Sequence, residues 1–367
     1  MKVAFVTGAC TPHDAISDAV RDQMRWCREA GHDTRLFAHG CDTPDLPYTR
    51  IATETDLLFD PFLETCDVIL FHFGVFYPAF TALPALPRRV RRLVVFHNVT
   101  PKALVPPEAH PLIEQSLVQM AAIVFADQVI CDSAFNRDTL RAAGVGVPAV
   151  VLPLAVSEAL RPPVTKPSFD DGLARIAYVG RLVASKGPTD LLDAIERVLD
   201  GPTTRLRLDI ICNTTFSDPA VVMTVAGQID RLRASHGADV DLQLRGHTSD
   251  AEKARILADS DLFVLPTYHE GFCVPIVEAL ASGCRVITYD NSNTPFVSGG
   301  LAALVPTGDR DALAAALAAE LECIGSAGWK GQGYQAYLAQ AAAHLAAFER
   351  NSIRRRFLSL VEGVRTG

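Results

Sequence analysis

The sequence predicts an α/β protein of two doubly wound domains, each a parallel sheet wrapped by helices, facing each other across a cleft. Three observations carry this expectation. The chain has 367 residues, beyond the size at which one hydrophobic core keeps growing. Short β-branched or apolar runs alternate with longer helical patterns, as parallel strands with helical crossovers require. The alternation stops once, at a proline-bearing stretch, and then resumes.

The first series of strand-like runs covers residues 3–6, 34–38, 68–71, 93–96, 129–131 and 150–152. Residues 157–172 then hold Pro162, Pro163 and Pro167 with few apolar side chains, which reads as a linker. A second series follows at 175–179, 206–211, 241–244, 262–265 and 285–288, and an alanine-rich helical tail begins at Leu313. The expected division is a first domain over 1–160, a linker over 161–172, a second domain over 173–348 and a last segment, 349–367, returning to the first. Ligands of such sheets bind beyond the carboxyl ends of the strands, so the chemistry is sought there.

Composition narrows the function. Hydrophobic residues make up 49% and charged residues 21%, which suits a globular chain that folds without a partner. A net charge of −8 argues against nucleic-acid binding, which needs a basic face. Two basic runs remain: Arg88, Arg89, Arg91 and Arg92 before one strand, and Arg354, Arg355 and Arg356 in the last helix. They suit either peripheral contact with an anionic membrane or internal pairing. The nine cysteines are scattered, without C-x-x-C or zinc spacing, so neither disulfides nor a metal site are expected. The start of the chain enters a strand at Lys2 without a leader pattern, and no apolar run approaches the ~20 residues that span a bilayer. A cytoplasmic protein, at most peripheral at the inner face of the membrane, is expected.

In the second domain, the strand 175–179 runs into Gly180 and Arg181, and Lys186-Gly187 follow at the mouth of the next helix. Glycine permits a tight turn, and two cations beside a helix N-terminus suit a diphosphate, although they also suit a solvated loop. The strand 262–265 leads to Glu270-Gly271-Phe272-Cys273-Val274-Pro275-Ile276-Val277-Glu278. Pro275 fits the first turn of a helix, so Glu270 lies in the lead-in loop and Glu278 about one turn inside. Carboxylates there accept several hydrogen bonds from sugar or ribose hydroxyls. The apolar neighbours of Glu278 make it an expensive place for a carboxylate without a partner.

The two glutamates with seven residues between them, preceded by the Gly-Arg-Leu and Lys-Gly loop, resemble the retaining glycosyltransferases of group 1. These enzymes have the GT-B fold of two Rossmann-like domains. The resemblance covers nearly the whole chain and is strongest from Arg175 to Pro306. It implies that Arg181 and Lys186 hold the donor diphosphate, that Glu270 binds the donor sugar and that Glu278 binds the ribose. Backbone N–H groups of Gly271, Phe272 and Cys273 line the sugar and phosphate in that picture; many relatives have glycine where Cys273 stands. Gly246-His247-Thr248 resembles the segment flanking the base, with Asn213 at the end of a neighbouring strand.

In the first domain, the strand 93–96 runs into His97-Asn98-Val99-Thr100-Pro101, and Ser133 is the expected cap of a helix after the strand 129–131. A subset of the family carries a similar stretch together with a loop like His13-Asp14-Ala15-Ile16-Ser17, commonly with glycine at the position of Ser17. By resemblance His97 lies near the transferred sugar, with catalytic roles for His97, Glu270, Arg181 and Lys186. His13, Asp14, His72 and Asn98 fall on the acceptor side. Asp14 reads equally well as a helix cap, and His72 as a structural histidine.

The implied activity moves a sugar from a nucleotide sugar such as a UDP- or GDP-sugar to a glycan, glycolipid or small-molecule hydroxyl. No cofactor and no essential metal are expected. Asp239-Val240-Asp241 and Asp259-Ser260-Asp261 mimic a metal motif, but both precede strands and suit turns. Two rival readings are a silent sugar-nucleotide-binding scaffold and a retaining glycoside hydrolase built on the same carboxylates. The basic pair Arg181 and Lys186 discriminates, since hydrolysis needs no diphosphate site.

Overall fold

A computed structural model describes residues 1–12, 14–43, 45–156, 160–201, 205–213 and 216–363. The chain divides into two compact units, Met1–Ala155 with Arg350–Gly367, and Val156–Glu349. The first unit contains β1 (Lys2–Cys10), β2 (Asp33–Cys41), β3 (Tyr48–Arg50), β4 (Val68–Phe73), β5 (Arg91–Phe96), β6 (Gln128–Cys131) and β7 (Ala149–Val151). They form one sheet in the order β3-β2-β1-β4-β5-β6-β7, with every pair parallel. The second contains β8 (Ala174–Val179), β9 (Leu206–Ile211), β10 (Val240–Gly246), β11 (Leu262–Leu265), β12 (Arg285–Asp290) and β13 (Ala302–Pro306). Their order is β10-β9-β8-β11-β12-β13, again all parallel. Both sheets reverse direction beside their first strand, as doubly wound folds do.

The central strands read as continuous apolar runs because helices cover both faces. On one face of the first sheet Val6, Phe71, Phe73, Val94 and Phe96 join a core with Phe80 and Leu83. On the other, Val3, Phe5, Leu70 and Val95 meet Val20 and Met24 of the helix Ala15–Glu29 and Ile353, Phe357 and Val361 of the last helix, Arg350–Glu362. Trp26 and Phe357 pack with ring centroids 5.9 Å apart.

The sequence reading missed two strands, β3 and β13. The stretch read as a linker contains a helical turn, Ser168–Asp171, and belongs to the second unit. Lys166, fully buried there, donates to the carbonyls of Ala258 and Ser282 at 2.8 and 2.9 Å. Much of both basic runs is engaged internally. Arg89 donates to the carbonyls of Leu63 and Cys66, Arg91 to those of Leu360 and Val361, and Arg356 to that of Val151. Arg92 pairs with Asp127 and Arg354 with Glu29. Among the described residues no helix is long and apolar enough to cross a membrane.

Candidate active site

The donor-side residues lie at the carboxyl ends of the second sheet. β8 ends at Val179 and Gly180 turns the chain into the loop 181–187. The buried Tyr178 hydroxyl lies 3.1 Å from the Arg181 carbonyl and 3.4 Å from that of Lys186, bridging both ends of the loop. Gly187 is left-handed, φ 59°, and an added Cβ would stand 2.2 Å from the Pro266 carbonyl oxygen. Only glycine permits this approach. The loop is also fastened to the exit of β11: Tyr268 N–H and Thr267 Oγ1 donate to the Ser185 carbonyl at 2.8 and 3.2 Å.

That docking brings Lys186 to Glu270. Nζ lies 2.5 Å from Oε1, with the Glu270 side chain only 9% exposed, while Glu270 N–H donates to Ser292 Oγ at 2.9 Å. Arg181 is exposed. Burial pushes the Tyr178 hydroxyl well above its usual range; Glu270 reinforces the shift and Arg181 opposes it, so all three share one neighbourhood.

Beyond Glu270 the chain enters the helix Val274–Ala281 through Cys273, whose φ is 78°. The Cys273 thiol is held well above its ordinary value, first by burial and then by Glu270. Phe272 stacks edge-on against Phe348 at 5.8 Å, and its carbonyl accepts from Asn293 Nδ2 at 2.9 Å, so its ring serves packing. Glu278 is also buried, and its Oε1 receives Lys253 Nζ at 2.7 Å from the helix Asp250–Asp259. Sequence reasoning missed Lys253, because nothing local distinguishes it from any other helix lysine.

Asn213 follows β9, with its carbonyl accepting from Ser217 Oγ at 2.7 Å; that oxygen in turn accepts from Leu182 N–H at 2.9 Å. Gly246 turns left-handed at the end of β10, leaving His247 exposed and Thr248 buried. The two aspartate motifs have structural partners. Asp261 accepts from Arg175 N–H at 2.9 Å and from Ser168 Oγ, and Asp241 pairs with Arg207 at 3.5 Å. Beneath the Lys186 loop, buried Asp190 accepts from Tyr268 and Tyr289 hydroxyls at 2.7 and 2.9 Å and pairs with Arg310.

In the first unit, Asp14 caps the helix Ala15–Glu29, its Oδ2 accepting from Ser17 N–H and Ser17 Oγ at 2.9 and 2.8 Å. Ser17 Oγ also accepts from Thr11 N–H, so the serine closes the loop through its side chain. His13 lies outside the described residues. Asn98 is left-handed at φ 74° and turned inward, donating to Asn136 Oδ1 at 2.9 Å and accepting from Val99 N–H at 2.7 Å. Both amide ends are thereby committed within the unit. His97 places Nδ1 2.6 Å from Asp132 Oδ2 and Nε2 3.0 Å from His72 Nδ1. Neither Asp132 nor this histidine pairing was visible in the sequence.

Residues 174–322 match the family model described as glycosyl transferases group 1. A phosphatidyl-myo-inositol mannosyltransferase of Mycobacterium leprae is 31% identical over 151 residues, 40% of this chain and 37% of that protein. A glycogen synthase of Mycobacterium tuberculosis is 26% identical over 167 residues, 44% of this chain and 36% of that one. The chain therefore spans little more than a third of these curated relatives. Over 99% of both chains, it superposes on sucrose-phosphate synthase from Thermosynechococcus elongatus with TM-score 0.73 at 18% identity. A trehalose-6-phosphate structure from E. coli bound with UDP-2-fluoro glucose aligns over 100% of both chains, TM-score 0.70 at 13% identity. The chain has the GT-B fold, and residues 174–322, within its second unit, carry the likeness to the group 1 glycosyltransferases.

Proposed function

We propose that the chain transfers a sugar from a nucleoside diphosphate sugar to a hydroxyl acceptor with retention of anomeric configuration. The observation that carries this reading is the pair of buried carboxylates, Glu270 and Glu278, each facing a lysine inside the family-matched segment. In this reading Lys186 turns from Glu270 to the donor diphosphate, joined by Arg181, and frees a Glu270 oxygen for sugar hydroxyls. Glu278, oriented by Lys253, takes the ribose hydroxyls.

Negative charge grows on the departing diphosphate and is stabilised by these cations and by the N–H groups at the start of the helix Val274–Ala281. The departing phosphate oxygen accepts the proton of the acceptor hydroxyl, so no protein nucleophile is required. The acceptor belongs to glycan, glycolipid or polysaccharide synthesis and is held by the first unit, and the cations make a divalent metal dispensable.

A thermal-shift screen of nucleotide sugars tests the donor, since a ligand at a hundred times its dissociation constant stabilises by about 2.7 kcal/mol. NMR of the product then reads the anomeric configuration. Lys186→Ala and Glu270→Ala are each expected to lower transfer at least about tenfold, within the range for a lost electrostatic contact, while still folding, at a lower melting temperature because each leaves one member of a largely buried ion pair without its partner. EDTA should leave the rate unchanged. An inverted product refutes retention, and unimpaired variants refute the site.

A further inference from the structure

Three neighbouring strands of the first sheet deliver ionisable residues to one edge. His72 is the penultimate residue of β4, His97 follows β5 and Asp132 follows β6; β4 pairs with β5 and β5 with β6. The contacts run Asp132 Oδ2 to His97 Nδ1 at 2.6 Å and His97 Nε2 to His72 Nδ1 at 3.0 Å. The imidazoles are nearly parallel, 15° between planes with centroids 5.3 Å apart. His72 and Asp132 are each 2% exposed. At the far end His72 Nε2 is buried without a hydrogen-bond partner among the described residues, as is Asp132 Oδ1.

Counting hydrogens fixes the states available. An ionised carboxylate only accepts, so His97 Nδ1 carries a hydrogen toward Asp132. With both rings neutral, His97 Nε2 accepts from His72 Nδ1–H, which leaves His72 Nε2 a bare lone pair. One added proton enters at His72 Nε2, and the hydrogen on His72 Nδ1 passes to His97 Nε2. His97 is then an imidazolium paired with Asp132, while His72 stays neutral with its open end converted from acceptor to donor.

We propose that Asp132, His97 and His72 form a one-proton relay in which Asp132 and His72 are positioning residues for His97, and that its uncharged form supports transfer. The second half rests on the proposed function: with His72 Nε2 buried and both His97 nitrogens engaged, the two forms differ toward a substrate in the charge on His97 and not in an exposed lone pair. Burial, and then His97, hold His72 well below the ordinary histidine range, in keeping with its neutrality in both states.

The surroundings supply few other charges. Phe5 of β1 stacks on His72 at 6.4 Å. Ile16 and His97 both border Gly74, and the carboxylate of Asp14, two residues before Ile16 in sequence, is engaged by Ser17. In the helix after Asp132, Arg137 and Arg141 both pair with Asp138.

Heteronuclear NMR of the histidine ring nitrogens in the full chain tests the relay without any substrate. The expected result is two Nδ1-protonated rings at alkaline pH that take up one proton together, with the charge on His97. Asp132→Asn removes the charge that favours the imidazolium, so the midpoint moves to lower pH by about one unit or more. Asp132→Glu restores it, and His72→Phe leaves His97 titrating alone. The acid limb of sugar release from the nucleotide sugar, with water as acceptor, should follow the midpoint in parent and Asp132→Asn. Independent titration of the rings, or a midpoint unmoved or raised in Asp132→Asn, overturns the relay. A moved midpoint with an unmoved kinetic limb overturns its link to transfer. A chain that turns over no nucleotide sugar refutes the proposed function, while the NMR result still decides the relay.

Discussion

Cys273 holds a left-handed backbone, φ 78°, where an L side chain costs roughly 1–2 kcal/mol relative to glycine. Its buried thiol beside Glu270 offsets part of this cost. Cys273→Gly exchanges relief of strain for loss of a small buried group, so its stability should stay within about 1 kcal/mol of the parent. Cys273→Val adds a β-branched side chain to the same backbone and should destabilise by more than about 2 kcal/mol. Urea denaturation of both variants reads the difference; a valine variant as stable as the glycine one contradicts this account of the position. The sequence offered only the departure from a familial glycine, whereas the reason for it, a positive φ at the entrance to a helix, is a property of the folded backbone.

At the scale of elements, the loop 181–187 and the turn after β11 act as one piece, because Tyr178, Ser185 and Gly187 bind them together. The strand ends and the two glutamates were legible, since apolar runs, glycines and Pro275 mark where strands stop and helices begin. Lys253, Asp132 and the His72 pairing were not, because each depends on which strands and helices become neighbours. β3 is three residues long behind Pro47, and β13 is built mainly of alanine, leucine and valine between turns, so neither stood out. The turn Ser168–Asp171 was obscured by its prolines, and it carries its own test. Hydrogen bonds from Arg175 hold the Asp171 carboxyl down, from 3.8 to about 2. Because the folded value lies below the unfolded one, this contribution is full above the unfolded value and disappears as pH falls through about 2. Asp171→Asn should remove that acid dependence. The effect is small, since the side chain is 45% exposed and solvent screens the pair; an unchanged pH profile of unfolding would count against the pairing.

Across the whole molecule, the last helix belongs to the first unit even though the second unit precedes it in sequence. Deleting residues 350–367 removes Ile353, Phe357 and Val361 from the core under β1, β4 and β5. Burying each such side chain contributes about 1.5–3 kcal/mol, a total comparable with the stability of a domain. Scanning calorimetry of the truncated chain should show the first unit's transition lost or sharply lowered and the second unit's retained; two unchanged transitions would contradict the packing. The two-sheet architecture was legible because periodicity survives without knowledge of contacts. The exchange of the final helix was expected from its position alone and acquires a physical cause only in the packing of Phe357 on Trp26.

The measurement that bears most directly on the central claim is calorimetric titration of the full chain with UDP, GDP and ADP, repeated in Lys186→Ala and Glu278→Gln. One nucleotide should bind at a single site, and each substitution should weaken it at least tenfold, about 1.4 kcal/mol. Binding of none of the three, or equal affinity in parent and both variants, would contradict a nucleoside diphosphate site built on these lysine–glutamate pairs.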